Sequence, residues 1–248
     1  MGLEKLAEME YPGRFIVVGS NHYGHLVVGY GLTGRSPPSK AREFLEGEKT
    51  HTVRTNATDP EELKKGSPAL LLYPAITFLG NHVVASNGAQ TKLLYSALLR
   101  DLERGLRPSP ETVLREALKE PFWEYDQKED QWIDITTFEP DKYHTPRINL
   151  VAHPSEACLH IVKEYEGRRH DQFYTFSLKQ TEGKFISTYN GPSEPVAFQG
   201  QPHLVTIPLV SAEELSRYFF NALKPEYRVS VVAAIVEGSG KVSVGNIK

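Results

Sequence analysis

With 248 residues, 40% hydrophobic and 24% charged, the chain can bury a substantial core, and its formal net charge of -3 excludes the broad basic face of a general nucleic-acid binder. The single cysteine, Cys158, excludes an internal disulfide and a cysteine-based zinc site, and no apolar run is long enough to be a membrane span. Met1 to Glu10 is acidic and helix-like, unlike a signal peptide, so a cytoplasmic protein is expected. No composition break or linker divides residues 1–248, which are expected to form a single domain.

Arg14 to Val18 and His25 to Tyr30 read as two strands joined by the polar turn SNHYG. Gly29, Gly31 and Gly34 then spell G-x-G-x-x-G, the spacing that lets backbone approach a pyrophosphate, but Pro37 and Pro38 stand where a helix would have to open. The glycines are therefore expected to form a flexible bend rather than a dinucleotide site. His22 and His25 bring no third ligand, so no metal site is expected there. The next stretch, GRSPPSKAR, carries Arg35, Lys40 and Arg42 on a backbone stiffened by two prolines. Convergent cations that lose little entropy on binding suit a phosphate, and arginine adds a bidentate fork. Glu43 to Lys65 is polar and expected to be irregular.

The run from Pro68 to Thr91 holds two apolar segments around Gly80-Asn81, which predicts a hairpin with a very short second strand, His82 to Ala85. Tyr73 sits at a Tyr-Pro break in its first strand. The hairpin leads into Ser86-Asn87-Gly88, and Leu93, Leu94, Ala97, Leu98 and Leu102 then recur at helical spacing, predicting a helix from Thr91 to about Arg104. Free N–H groups at that helix start favour an anion, and the Asn87 amide can both donate and accept.

Ser109-Pro110 opens a second helix, which Pro121 stops. Trp123 to Tyr143 is acidic and aromatic and reads mostly as solvated surface; it contains Glu139 beside Pro140. Thr145-Pro146-Arg147 precedes the apolar strand Ile148 to Ala152, which places an arginine rigidly at the mouth of a buried strand. Strands follow at Glu156 to Lys163, Phe173 to Leu178 and Phe185 to Tyr189. Ser211 to Leu223 is a helix with a capping box between Ser211 and Glu214, and Val229 to Glu237 with Lys241 to Val244 closes the chain as a hairpin. Many antiparallel strands with three clear helices indicate an α+β domain.

The segments YPGRFIVVG, GRSPPSK, LYPAITFLGNHVVASNGAQT, HTPRINLVAHPSEACLHIV and FISTY, in this order, resemble the archaeal-type IMP cyclohydrolases over most of the chain. The SNG turn, the TPR before a strand followed by SEA, and the ISTY strand are the most specific pieces. The resemblance implies an Ntn-hydrolase-like fold, a four-layer αββα sandwich of two mostly antiparallel sheets, without that superfamily's amino-terminal nucleophile. Met1-Gly2 indeed offers no cysteine, serine or threonine.

The resemblance further implies ring closure of 5-formamidoimidazole-4-carboxamide ribotide to IMP with loss of water in purine biosynthesis, with no cofactor or metal, and a homo-oligomer. Tyr73 and Glu139 fall at the family's catalytic tyrosine and glutamate, and Lys40 falls where the family has an arginine. Chemistry adds Arg35 beside Lys40 for developing negative charge, Asn87 with Gly88 and Thr145 around the base or ribose, and Arg147 for the 5'-phosphate. The long segment from Arg104 to Phe138 departs from the compact archaeal pattern, so a related ribotide stays open as substrate. A purine-ribotide sensor without turnover and an amidohydrolase using Cys158 are the rival readings.

Overall fold

The computed structural model describes residues 2–47, 51–192 and 194–248, so Met1, Glu48, Lys49, Thr50 and Ser193 lie outside it. In chain order, the first half holds α1 (Glu4–Glu8), β1 (Arg14–Ser20), β2 (Leu26–Thr33), α2 (Pro37–Lys40), β3 (Arg42–Glu46), β4 (Thr52–Ala57), α3 (Pro60–Lys64), α4 (Pro68–Leu71), β5 (Pro74–Leu79), β6 (His82–Ser86) and α5 (Thr91–Glu103). Then follow α6 (Pro110–Ala117), β7 (Trp123–Asp126), β8 (Gln131–Asp134), β9 (Arg147–His153), β10 (Glu156–Tyr165), β11 (Arg168–Ser177), β12 (Glu182–Ser187), β13 (His203–Thr206), α7 (Ala212–Ala222), β14 (Arg228–Val236) and β15 (Val242–Ile247).

These strands build a six-stranded sheet in the order β13-β12-β1-β2-β14-β15 and a seven-stranded sheet in the order β11-β10-β9-β6-β5-β4-β3, with β7-β8 as a separate hairpin. All the pairings between neighbouring strands are antiparallel. The sheets face each other across one apolar layer, with Ile16, Val28 and Val232 from the first meeting Ile76, Val83, Leu150 and Leu159 from the second. On the outer side of the first sheet, Phe15, Val17 and Val27 pack against Leu215 and Phe219 of α7 and Leu6 of α1. On the outer side of the second, Val84 and Val151 pack against Leu94 and Leu98 of α5 and Val113 and Leu114 of α6. The result is an α+β sandwich with helix, sheet, sheet and helix in sequence. Alternate residues of one strand serve opposite apolar layers, which explains why β1, β2 and β9 are nearly continuous hydrophobic runs.

Four expectations need correction. Gly29 and Gly31 form no bend: they are buried in the middle of β2. A side chain at Gly29 would overlap the Phe219 ring of α7, and one at Gly31 would overlap the Phe15 ring of β1, so these glycines let rings lie flat on the sheet. Pro37 and Pro38 do open a helix, the single turn α2, because proline at the first positions loses no intrahelical bond and Ser36 caps it with Ser39. The polar stretch Glu43 to Lys65 is not irregular. Where described, it forms β3, β4 and α3; Phe44 and Val53 turn inward while polar neighbours face out at the sheet edge. Pro68–Leu71 is a helical turn, so the first strand of the predicted hairpin begins only at Pro74. The predicted α5, α6 and α7 all form, and the Ser211–Glu214 capping box is complete in both directions. Among the described residues no helix is long and apolar enough to cross a membrane.

Gly31→Ala is expected to lower the unfolding free energy by about 1–3 kcal/mol through overpacking against Phe15. Urea denaturation measures it, and an unchanged midpoint would show that the site relaxes without cost.

Candidate active site

At one end of the sandwich, three of the strands that begin with arginine send that residue into the interior: Arg14 on β1, Arg42 on β3 and Arg147 on β9. The start of a strand paired within a sheet fixes the Cα direction, so these long side chains project from rigid bases. Arg14 Nη2 and Arg147 Nη1 both donate to Glu139 Oε1, the latter at 3.1 Å. Arg147 Nη1 also donates to the Asn87 carbonyl at 3.3 Å. The carboxylate comes from the loop between β8 and β9, yet it is only 6% exposed. Glu139 Oε2 enters no hydrogen bond or ion pair among the described residues.

Local hydrogen bonds keep that loop in place. Glu139 N donates to Thr145 O at 2.8 Å, and Thr145 donates through N and Oγ1 to the Asp141 carboxylate at 2.8 and 2.7 Å. Thr145 Oγ1 also meets Tyr189 Oη at 2.6 Å. On the other side of Arg14 lie two phenols, with Tyr73 Oη 3.1 Å from Tyr30 Oη and both rings buried. Tyr73 precedes β5, and its backbone is clamped by Thr55, whose Oγ1 accepts from Tyr73 N at 2.8 Å and whose N donates to Tyr73 O at 3.0 Å.

The electrostatics follow from burial and from these neighbours. Burial pulls the Arg14 guanidinium down, but Glu139 and the surrounding phenols outweigh it and the net direction is up. For Arg147 burial dominates over the pull of Glu139, and the net direction is down. The difference matches exposure, 13% for the Arg14 side chain against 2% for that of Arg147. Burial pushes Tyr189 up to about 12, and Tyr30 is raised well above the ordinary phenol value by burial and then by Tyr73, although Arg14 opposes the change. Arg14 Nε, Arg147 Nε and Gln90 Oε1 are buried without a protein partner among the described residues. Each such atom is costly to bury unless water or a ligand meets it.

Six of the eight expected residues converge here: Tyr73, Glu139, Arg147, Asn87, Gly88 and Thr145. Arg147, expected to hold a phosphate, is engaged by Glu139. The Asn87 amide is occupied as well, accepting from Ile148 N at 2.8 Å and donating to Pro146 O at 2.8 Å, which ties the SNG turn to β9. Gly88 leaves room for Arg147: any side chain there would overlap Arg147 Nη1 and Gln90 Oε1. Arg35 is exposed at the rim, its guanidinium 4.4 Å from the Tyr11 ring centre and 5.5 Å from that of Tyr143. Lys40 is exposed on α2, and its side chain joins none of the bonds described above. Arg14, Tyr30, Asp141 and Tyr189 belong to the cluster without having been singled out for it, whereas Arg42 was named among the cations of GRSPPSKAR suited to a phosphate. Arg14 carried the same signal as Arg147, an arginine immediately before an apolar strand.

A groove of about 890 Å³ runs over β4 and β5 beside α5 and touches the cluster only at Tyr73. Its walls include neither Glu139 nor the buried arginines, so the charged cluster is the better candidate for chemistry. Among the described residues no group of three or more His, Cys, Asp or Glu is placed to hold a metal ion.

A family model described as IMP cyclohydrolase-like protein matches residues 11–127 and 130–240. Similar curated proteins are named IMP cyclohydrolase. The one from Methanococcus maripaludis strain S2 is 23% identical over 94% of this chain and 98% of its own length. The one from Methanocaldococcus jannaschii is 24% identical over 93% and 96%, and the one from Methanococcus aeolicus is 25% identical over 92% and 96%.

Gly88→Ala is expected to push Arg147 away from Glu139 and to cost about 1–3 kcal/mol of stability, read by denaturant unfolding. Stability equal to the parent protein would show that Arg147 has another place to go.

Proposed function

The chain belongs to the IMP cyclohydrolase-like family, and we propose that it closes the second purine ring, converting 5-formamidoimidazole-4-carboxamide ribotide to IMP and water. The observation that carries this reading is the buried Glu139, gripped through one oxygen by Arg14 and Arg147, with its other oxygen uncommitted. Two guanidinium donors need an acceptor, so Glu139 begins the cycle as a carboxylate.

In the proposed cycle the carboxamide nitrogen attacks the formyl carbon of the same molecule. Glu139 Oε2 takes a proton from that nitrogen while Tyr73 donates its proton to the formyl oxygen, giving a neutral carbinolamine. Glu139 then returns its proton to the departing hydroxyl, which leaves as water, and the former formamide nitrogen gives its proton back to Tyr73 as the C=N bond forms. Protons balance and no external acid is consumed. Tyr30, hydrogen-bonded to Tyr73, and the nearby Arg14 and Arg42 charges support the transient phenolate. Because the attack is intramolecular, holding the formamide in a reactive rotamer supplies much of the acceleration.

In this reading Arg147, Asn87, Gly88 and Thr145 position the catalytic carboxylate, Arg35 guards the rim, and Lys40 contributes positive potential from the exposed turn. Residues 1–248 act in this reading as one cytoplasmic domain, as composition suggests, and as part of a homo-oligomer, as the resemblance implies. The Cys158 reading has no support, because the thiol is fully buried, donates to Leu159 O at 3.6 Å and is pushed up to about 11, first of all by burial.

The test is IMP formation from the formylated ribotide, followed spectroscopically. Glu139→Gln and Tyr73→Phe are each expected to lose about 10²-fold or more in kcat, as befits removal of an acid–base group. Unfolding midpoints taken alongside separate lost chemistry from lost fold. Wild-type protein that binds IMP but never forms it would instead establish the sensor.

A further inference from the structure

Arg42 is the one arginine of the cluster left without a carboxylate among the described residues. It is 2% exposed, and its only described hydrogen bond runs from Nε to the Ser39 carbonyl at 3.0 Å. It shares the inward face of β3 with Phe44, whose ring meets Tyr30 edge-on at 5.6 Å. The groups that act on its charge are Tyr73, Arg14, Tyr30 and Tyr11, with no acid among them. Burial and then the repulsion from Arg14 work against its charge, and the neutral phenols only partly offset this. Glu139 is not among the groups that act on it; the ion pairs of that carboxylate are with Arg14 and Arg147.

A buried guanidinium without a counter-charge destabilises a fold and is retained where an anion arrives to meet it. Arg14 lies near enough to act on the Arg42 charge, and its Nε is buried without a partner among the described residues, so it has a donor to spare. Arg35 stands at the rim, stacked on Tyr11, which also faces Arg42. Three guanidiniums thus lead from the surface inward. The anion that such forked donors match best is a phosphate monoester.

We propose that Arg42, assisted by Arg14, is the anchor for the phosphate of the ligand. The inference rests on the ribotide reading for the identity of the ligand, but the anchor itself is defined by phosphate chemistry. It also separates two tasks: Arg147 orients Glu139, and Arg42 receives the anion.

The experiment compares wild type, Arg42→Met and Arg42→Lys by thermal unfolding with and without inorganic phosphate, and by calorimetric titration with IMP and with inosine. Without ligand, Arg42→Met is expected to unfold at the same temperature as wild type or higher, since an apolar side chain replaces an unpaired buried charge. Phosphate is expected to raise the wild-type midpoint but not that of Arg42→Met. Affinity for IMP is expected to drop about 10- to 100-fold in Arg42→Met, the loss for a charged hydrogen bond, while inosine binding stays unchanged. Arg42→Lys, which keeps the charge without the fork, is expected to fall between the two.

A lower ligand-free midpoint in both variants, with the phosphate shift retained, would overturn the proposal in favour of a structural arginine. Equal loss of IMP and inosine would place Arg42 on the base instead and also overturn it. No difference between IMP and inosine in wild type would remove the phosphate site altogether. Failure of the ribotide reading looks different: wild type would form no IMP, yet the phosphate shift would still depend on Arg42.

Discussion

One carboxylate ties the two sheets together at the end where β1 and β9 begin. Glu139 receives Arg14 from the six-stranded sheet and Arg147 from the seven-stranded sheet, so its ion pairs span the sandwich rather than decorate one face. Burying three charges is costly, and the Coulomb attraction returns that cost only if every group keeps its partner. Removing the acid would strand two cations, at about 3–5 kcal/mol for a broken buried pair. The loop that delivers Glu139 is correspondingly overdetermined by Thr145, Asp141 and Tyr189. Without that frame the carboxylate would swing into solvent, and its free oxygen would no longer have a fixed address.

The rigidity extends outward through the SNG turn. Asn87 uses both ends of its amide on the backbone where β9 begins, at Pro146 and Ile148, while its carbonyl accepts from Arg147. Gly88 is there because Arg147 passes through the place of its missing side chain. Sequence pattern alone recommends Asn87 as a ligand contact, since an amide at a helix start can do that work. Its burial and its two backbone bonds give it a different task, and the distinction turns on partners that lie about sixty residues away in the chain.

That contrast explains what could be read in advance. Local periodicity announced α5, α6 and α7, and the capping box at Ser211 is a local code that needs no tertiary partner. The polar strands β3, at the sheet edge, and β4, its neighbour, were invisible because they alternate weakly and carry charged residues. Glu139 looked solvated among acidic neighbours; only the arrival of Arg14 and Arg147 from distant strands makes it buried. Tyr30 vanished into an apolar run, where a phenol and a phenylalanine leave the same pattern. The glycine spacing in β2 read as a flexible bend, yet the glycines serve ring packing, a function that periodicity cannot distinguish from a turn.

The placement of the arginines gives the site its logic. Each stands at the first residue of a strand, so the backbone is fixed by the ladder while the long side chain reaches the cluster at this end of the sandwich. A loop would have offered the same charges with more conformational freedom to lose on binding. The consequence is an end of the sandwich with more buried positive than negative charge among the described residues: Arg14 and Arg147 share Glu139, and Arg42 has no acid among them. Such an imbalance makes the protein less stable than a neutral core of the same shape, and it is resolved only by a ligand that brings its own negative charge. The fold therefore stores part of its stability in the complex rather than in the empty protein, so that ligand binding and consolidation of this end of the sandwich become the same event.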